Sequence, residues 1–446
     1  MTAERWLQLL DDSRLGARAR PGRAPETSRT DFQRDFDRVV FSTAFRRLHD
    51  KTQVFPLPEN DLVHSRLTHS LEVSCVGRSL GTLVGQDVCA DHPGLAARGI
   101  DPRAFGDIVA AACVAHDLGN PPFGHAGEDA IGAWFRTHPE VTTGLAEGER
   151  ADLERFEGNA QGFRIVTRLQ IPENPGLQLT RATLAAFTKY PRTSGPRPRE
   201  GDVTVAKHGV FRAEVELLAD VMAGVGLRPS SQGGLRCWPR HPLAFLVEAA
   251  DDICYSILDI EDGFRLGHVP FDEVEAHLHA VVRTDPTYRR RAPTSPSDRK
   301  EAVAYLRAKA INHLASQVRE AFRQRSQVLL EGSVREPLSD TLPSSEALSQ
   351  VIEHTRRTCY RARDVVEIEL AGYEVLSALL DAFVPAVLTA QPTLRQRKLL
   401  ALLPEPPSDE ASAYERLLTV TDHVSGMTDR YAISTYRKLH GISLRD

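Results

Sequence analysis

Asp107-Ile108-Val109-Ala110-Ala111-Ala112-Cys113-Val114-Ala115-His116-Asp117-Leu118-Gly119-Asn120-Pro121-Pro122-Phe123-Gly124-His125 is the stretch that decides how this chain is read. Its first half is an unbroken apolar run of helical type. Its end sets a histidine beside a carboxylate, where two buried polar groups are unfavourable by several kcal/mol unless something pairs them. A divalent metal is the usual partner. Gly119 and the two prolines stop the helix at once, because proline has no backbone donor and clashes with the preceding turn. The chain then reverses and returns His125 toward the same place.

Outward from this point the pattern stays helical. Phe32, Phe36, Val39, Val40 and Phe45 repeat on one face, followed by Leu67, Leu71, Val73 and Leu80. The patterning predicts helices at about 104–117, 125–136, 150–170, 179–188, 212–225 and 241–263, a charged helix over 299–331, and helical structure on to about 440. Breaks are expected at Tyr190 to Gly201, Pro229 to Gly234 and Thr284 to Asp298. The best alternating segment is Asp202-Val203-Thr204-Val205, and it is short. No internal repeat is visible. The fold class is therefore all-α.

With 446 residues and 41% apolar side chains the chain can bury a large core. No run approaches the roughly 18 apolar residues of a membrane span. The Met1 to Trp6 start lacks a signal pattern, so a soluble cytoplasmic protein is expected. The six cysteines lie far apart, without a Cys-x-x-Cys pair, and read as reduced core residues. A net charge of −5 excludes an overall basic nucleic-acid binder but leaves room for a local basic pocket. A short amphipathic helix from Glu4 to Leu10 leads into an arginine- and proline-rich arm, Arg14 to Arg29. Arg14, Arg18, Arg20 and Arg23 there read as a solvated tail, or as a contact for nucleic acid or a neighbouring subunit.

A metal cage needs ligands from several helices. His69 stands at the start of an amphipathic helix, and Asp251-Asp252 follows the apolar run Leu243 to Ala250. Two histidines and two aspartates suit Mn, Fe, Co, Ni or Mg better than a thiolate-type zinc site. His49-Asp50 repeats the dyad without the glycine–proline stop and is set aside. His125 and Glu128 are spaced i, i+3 at the start of a helix, which lets the carboxylate orient the imidazole for proton transfer. The bland alternative is a helix cap. Asp251, Tyr255 and Asp259, at i, i+4 and i+8, share one helix face.

At this point the chain resembles a known family. His69, His116-Asp117 and Asp251 match the H…HD…D signature of HD-domain phosphohydrolases. Phe45 to Leu48, Lys51 to Val54, Arg66 to Val73, His116 to His125, Glu157 to Gln161, Thr188 to Pro191 and Ala250 to Tyr255 resemble the bacterial deoxyguanosinetriphosphate triphosphohydrolase family. The likeness spans about 31–267 and returns at Ser425 to Ala432. It implies an HD-domain helical core (31–267, the HD part about 65–260) behind an N-terminal helix and arm (1–30). Additional C-terminal helices (268–446) would pack on that core.

The activity the resemblance implies is hydrolysis of a deoxynucleoside triphosphate, dGTP or others, to deoxynucleoside and inorganic triphosphate, with a divalent metal and a homo-oligomeric assembly. Single-stranded DNA is a possible second ligand, and no membrane partner is expected. His69, His116, Asp117 and Asp251 would hold the metal, and His125 with Glu128 would move the proton. Arg46, Arg66 and Lys189 would hold phosphates, with Arg47, Lys207 and Asn159 secondary. Gln53 and Asp259 would meet the 3′-hydroxyl, and Tyr255 would pack against the sugar, where a core aromatic is the bland alternative. Related vertebrate enzymes carry histidine where Asn120 and Phe156 stand, which leaves His125 as the main proton-transfer candidate. The competing readings are an HD phosphohydrolase of another nucleotide phosphoester and a non-catalytic module that binds nucleotides or single-stranded DNA.

Overall fold

A computed structural model describes residues 2–16, 29–55, 63–170, 176–196, 201–232, 235–290 and 295–442. The fold is all-α. The apolar stretch that opened the reading is the helix Pro102–Ala115, started by proline at its first position and capped by the Asp101 side chain. His116 sits at its C-cap. It packs along the His69 helix, Arg66–Asp91, through Gly77, Gly81 and Gly85; a Cβ at Gly81 would lie 2.6 Å from the Phe105 carbonyl. The helix Ala244–Leu266, which carries Asp251, closes the third side of this core.

Two apolar clusters organise the molecule. The larger joins the His69, Pro102–Ala115 and Asp251 helices to Phe271–Val282 and Pro296–Gln324. The smaller sets the helix Gly124–Thr137 against the helices Arg363–Leu388 and Ala413–Ser425, around Trp134, Phe135, Phe383 and Leu417. Arg363–Leu388 is long and apolar enough to cross a membrane, which the expectation of no such run did not allow for. Its apolar face is core, with Leu376, Leu379, Leu380 and Phe383 fully buried.

Several local expectations change. Val203–Val205 forms a 3₁₀ turn, because the Asp202 carboxylate accepts the Thr204 N–H at 3.0 Å and bends the chain. The described strands lie instead at Ser230–Gln232 and Leu235–Cys237, an antiparallel pair whose first strand falls within the expected Pro229 to Gly234 break and whose second follows it. The helix expected over 150–170 is interrupted. Glu147–Glu154 ends, Glu157 is extended, and Gly158–Arg164 begins anew before a π turn over Ile165–Leu169. Arg14 is not part of a free arm: its guanidinium reaches Asp35 at 2.6 Å and Asp31 at 2.9 Å. Arg18, Arg20 and Arg23 lie outside the described residues.

Candidate active site

The HD dyad is shaped by its own helix end. The Nδ1 of His116 lies 2.6 Å from the Cys113 carbonyl, which can only accept, so Nδ1 carries the proton and Nε2 keeps its lone pair. Donor atoms of His69, His116 and Asp117 all lie within 4.8 Å of one another and could hold a metal ion. Asp251 reaches both imidazoles, with Oδ1 at 3.0 Å from His69 Nε2 and 3.5 Å from His116 Nε2. Its neighbour Asp252 turns away and accepts the Ser339 hydroxyl at 2.6 Å. Four donors of borderline and hard type, from three helices, fit a divalent cation.

Electrostatics keep the two carboxylates of this cluster ionised. Burial pushes the Asp117 carboxyl up, but Arg66, His116 and His69 outweigh it and hold the group below its usual value. Arg66 Nη1 is 2.9 Å from Asp117 Oδ2, and both residues are buried. Asp251 is likewise pulled down against burial by His116 and His69. The amide of Asn120 donates to the second Asp117 oxygen. His49 is exposed and Asp50 pairs with Arg430 at 3.2 Å, so the second dyad stands apart from the cage.

His125 is exposed, and its Nδ1 lies 3.1 Å from Glu128 Oε2. Glu128 is buried, and its other oxygen accepts the Gly158 N–H at 2.7 Å. Burial raises the Glu128 carboxyl, yet the His125 hydrogen bond and Lys207 lower it to about 2. The ionised carboxylate accepts a hydrogen bond from Nδ1–H, leaving Nε2 of His125 free. Two glycines permit this close packing: a Cβ at Gly158 would lie 2.6 Å from Glu128 Oε1, and one at Gly119 would lie 2.0 Å from the Gly158 carbonyl.

The cluster lies between two chambers. One, of about 530 Å³, is lined by Gln53, Val54, Arg66, Tyr255, Arg356, Tyr360 and Glu369 as well as His69, His116, Asp117, His125 and Asp251. The other, of about 230 Å³, shares His116, Asp117, Asn120, His125 and Asp251 and adds Asn159, Lys189, Tyr190 and Lys207. Gln53 Oε1 is buried without a hydrogen-bond partner. The Tyr255 ring stands 5.8 Å from that of Tyr360.

Two expected site residues are not brought here. Arg46 is exposed and donates to the Phe41 carbonyl at 3.3 Å, on the outer face of its short helix. Asp259 is buried one layer behind the wall, where the Tyr360 hydroxyl donates to it. Tyr360 therefore lines the chamber where Asp259 was expected to meet the 3′-hydroxyl. Lys189 reaches the smaller chamber with a partner, Glu248, at 3.4 Å. Tyr360, Arg356 and Glu369 went unseen in the sequence: they lie more than a hundred residues past Asp251 in helical stretches with no motif of their own.

Comparison with known proteins places the chain in a family. The HD domain family matches residues 66–182, and the phosphohydrolase-associated domain matches residues 344–438. A Synechocystis protein named deoxyguanosinetriphosphate triphosphohydrolase-like is 45% identical, covering 98% of this chain and 100% of its own length. A Pseudomonas aeruginosa protein of the same name is 39% identical, over 98% of this chain and 99% of its own. The Salmonella typhimurium deoxyguanosinetriphosphate triphosphohydrolase is 31% identical, over 92% of this chain and 94% of its own. With full-length likeness at these identities and an HD cluster assembled in the fold, the chain belongs to the deoxyguanosinetriphosphate triphosphohydrolase-like family of HD-domain phosphohydrolases.

Proposed function

We propose that this hydrolase cleaves deoxynucleoside triphosphates to deoxynucleoside and inorganic triphosphate, by attack of water on the α-phosphorus and rupture of its bond to O5′. The observation that carries the reading is the placement of the metal-type cluster between two chambers with different polar groups. The larger has a free amide oxygen and two tyrosines, which suit a sugar and base. The smaller has Lys189, Lys207 and Asn159, which suit phosphates, and Arg66 stands at the cluster between them.

His69, His116, Asp117 and Asp251 would hold a divalent cation such as Mn, Mg, Co, Fe or Ni. The chemistry such a cation supplies is polarisation of a phosphoryl oxygen and acidification of a nearby water. The protein's own groups do the rest. Glu128 fixes the His125 ring through Nδ1, so Nε2 can take a proton from water or return one to O5′. Proton transfer of this kind is typically worth about 10²–10⁴-fold. Arg66 and Lys189 hold the phosphates. Tyr255 packs under C2′ and leaves no room for a 2′-hydroxyl, while Gln53 accepts from the 3′-hydroxyl. Tyr360, rather than Asp259, meets the sugar directly. Residues 31–267 would then carry the chemistry, and 268–446 would close the larger chamber through Arg356, Tyr360 and Glu369.

The test is product analysis with each of the four dNTPs, singly and mixed, in the presence of Mn²⁺. Release of inorganic triphosphate and deoxynucleoside supports the reading. Orthophosphate or pyrophosphate as the product overturns it in favour of another phosphoesterase.

A further inference from the structure

The segment Ser425 to Ala432 lines neither chamber, and the proposed reaction leaves it without a task. It is the junction between the helices Ala413–Ser425 and Asp429–Leu439, and it lies under both loops that deliver reactive side chains. Asp429 is 1% exposed. One carboxylate oxygen accepts the Thr52 N–H at 2.9 Å and also the Thr52 hydroxyl; the other accepts the Phe123 N–H at 3.0 Å. Gln53 follows Thr52 directly, and His125 comes two residues after Phe123. Alongside, Lys51 Nζ donates to the Ser425 carbonyl at 2.8 Å and to the Asn120 carbonyl at 2.5 Å.

Phe123 makes these bonds consequential. It takes the left-handed conformation, φ 63°, at the start of the helix Gly124–Thr137, with no side-chain cap of its own. A bulky residue disfavours that region and stays there only where its surroundings over-determine it. Asp429 grips its N–H from one side. From the other, the helix Arg363–Leu388 presses Gly372 against its ring, where a Cβ would lie 2.8 Å from Phe123 Cγ.

We propose that Asp429 is a positioning residue: by holding Phe123 and Thr52 together it sets where His125 and Gln53 stand over the metal cluster, so that the C-terminal helices govern the chemical step. The inference rests on the proposed role of His125. It does not require Asp429 to touch substrate or metal. The four candidate metal ligands lie on or at the ends of other helices, so losing Asp429 should leave the cation in place while disordering the proton-transfer group.

The experiment compares full-length wild type with Asp429→Ala, Asp429→Asn and Gly372→Ala, which disturb Phe123 from opposite sides. Three quantities are read: Mn²⁺ affinity, kcat and KM for triphosphate release, and amide hydrogen exchange by mass spectrometry. Expected for Asp429→Ala and Gly372→Ala are Mn²⁺ affinity within about threefold of wild type, kcat lowered at least about tenfold, and exchange at 51–54 and 120–126 raised at least about tenfold. Asp429→Asn, which keeps one acceptor oxygen, should fall between them and wild type. The double variant His125→Ala/Asp429→Ala should have a kcat within about twofold of that of His125→Ala alone, because both changes remove the one proton-transfer function, while displacement of Gln53 shows in KM. Unchanged exchange in the two loops, kcat within twofold of wild type, or multiplying losses in the double variant would each overturn the proposal. Should wild type release no triphosphate, the functional reading falls by itself, and loop exchange still decides whether Asp429 couples the C-terminal helices to these loops.

Discussion

Arg66→Met should make the metal-free protein markedly less stable and make its stability depend more steeply on the cation. Arg66 Nη1 lies 2.9 Å from Asp117 Oδ2 with both groups buried. At that distance the attraction is about 6 kcal/mol for an effective dielectric near 20. Desolvation of both partners offsets part of it, but removing one partner strands the other, and breaking a buried pair in this way is unfavourable by about 3–5 kcal/mol. Methionine keeps the aliphatic part of the side chain and removes the guanidinium, which pairs with Asp117 and also stands over Gly124. The assay is denaturant unfolding followed by the fluorescence of Trp6, Trp134 and Trp238, all buried. It is run in chelator and again in saturating Mn²⁺. In chelator the variant should lose about 3–5 kcal/mol. With Mn²⁺ most of the deficit should vanish, since the ion supplies the positive charge that Asp117 has lost, and binding to the native state adds stability by mass action. A deficit below about 1 kcal/mol in chelator, or an equal deficit with and without Mn²⁺, would refute the argument that Asp117 stays ionised in the cage because Arg66 balances it.

Further outcomes follow from the same geometry. His116→Ala and Asp117→Ala should lose Mn²⁺ binding and turnover together, whereas His125→Ala should keep the metal and lose about 10²–10⁴-fold in kcat, measured by triphosphate release. Tyr255→Ala should admit ribonucleoside triphosphates, raising their kcat/KM relative to the deoxy substrates by about tenfold or more in a competition assay. Asp259 gives a pH test. Burial raises its carboxyl from 3.8 to about 8 against the pull of the Tyr360 hydrogen bond. Over that window the folded protein holds a proton the unfolded chain has released, so the contribution of Asp259 to stability falls as pH rises from about 4 to 8. Asp259→Asn should remove that slope, and its stability relative to wild type should therefore increase between pH 5 and pH 8; parallel urea-unfolding profiles would refute the assignment.

The sequence by itself determined the elements and the chemistry that depends on adjacency along the chain. An apolar run ended by His116-Asp117 and then Gly119 and two prolines specifies a helix stopping at a polar dyad, because period and backbone chemistry are local properties. The His125–Glu128 spacing likewise translates directly into the observed hydrogen bond. Asp251 over Asp252 was readable from the face shared with Tyr255.

Tertiary structure decided what depends on distant segments. Arg46 and Arg66 both sit in matched segments, but packing turns Arg46 outward and sets Arg66 beside Asp117. Asp259 has the right helical face, yet Tyr360, 101 residues later, covers it. The Asp429 link to Thr52 and Phe123 spans 377 and 306 residues. Contacts at such separations leave no periodic trace in the chain, since burial and hydrogen bonding fix them only after the helices have packed.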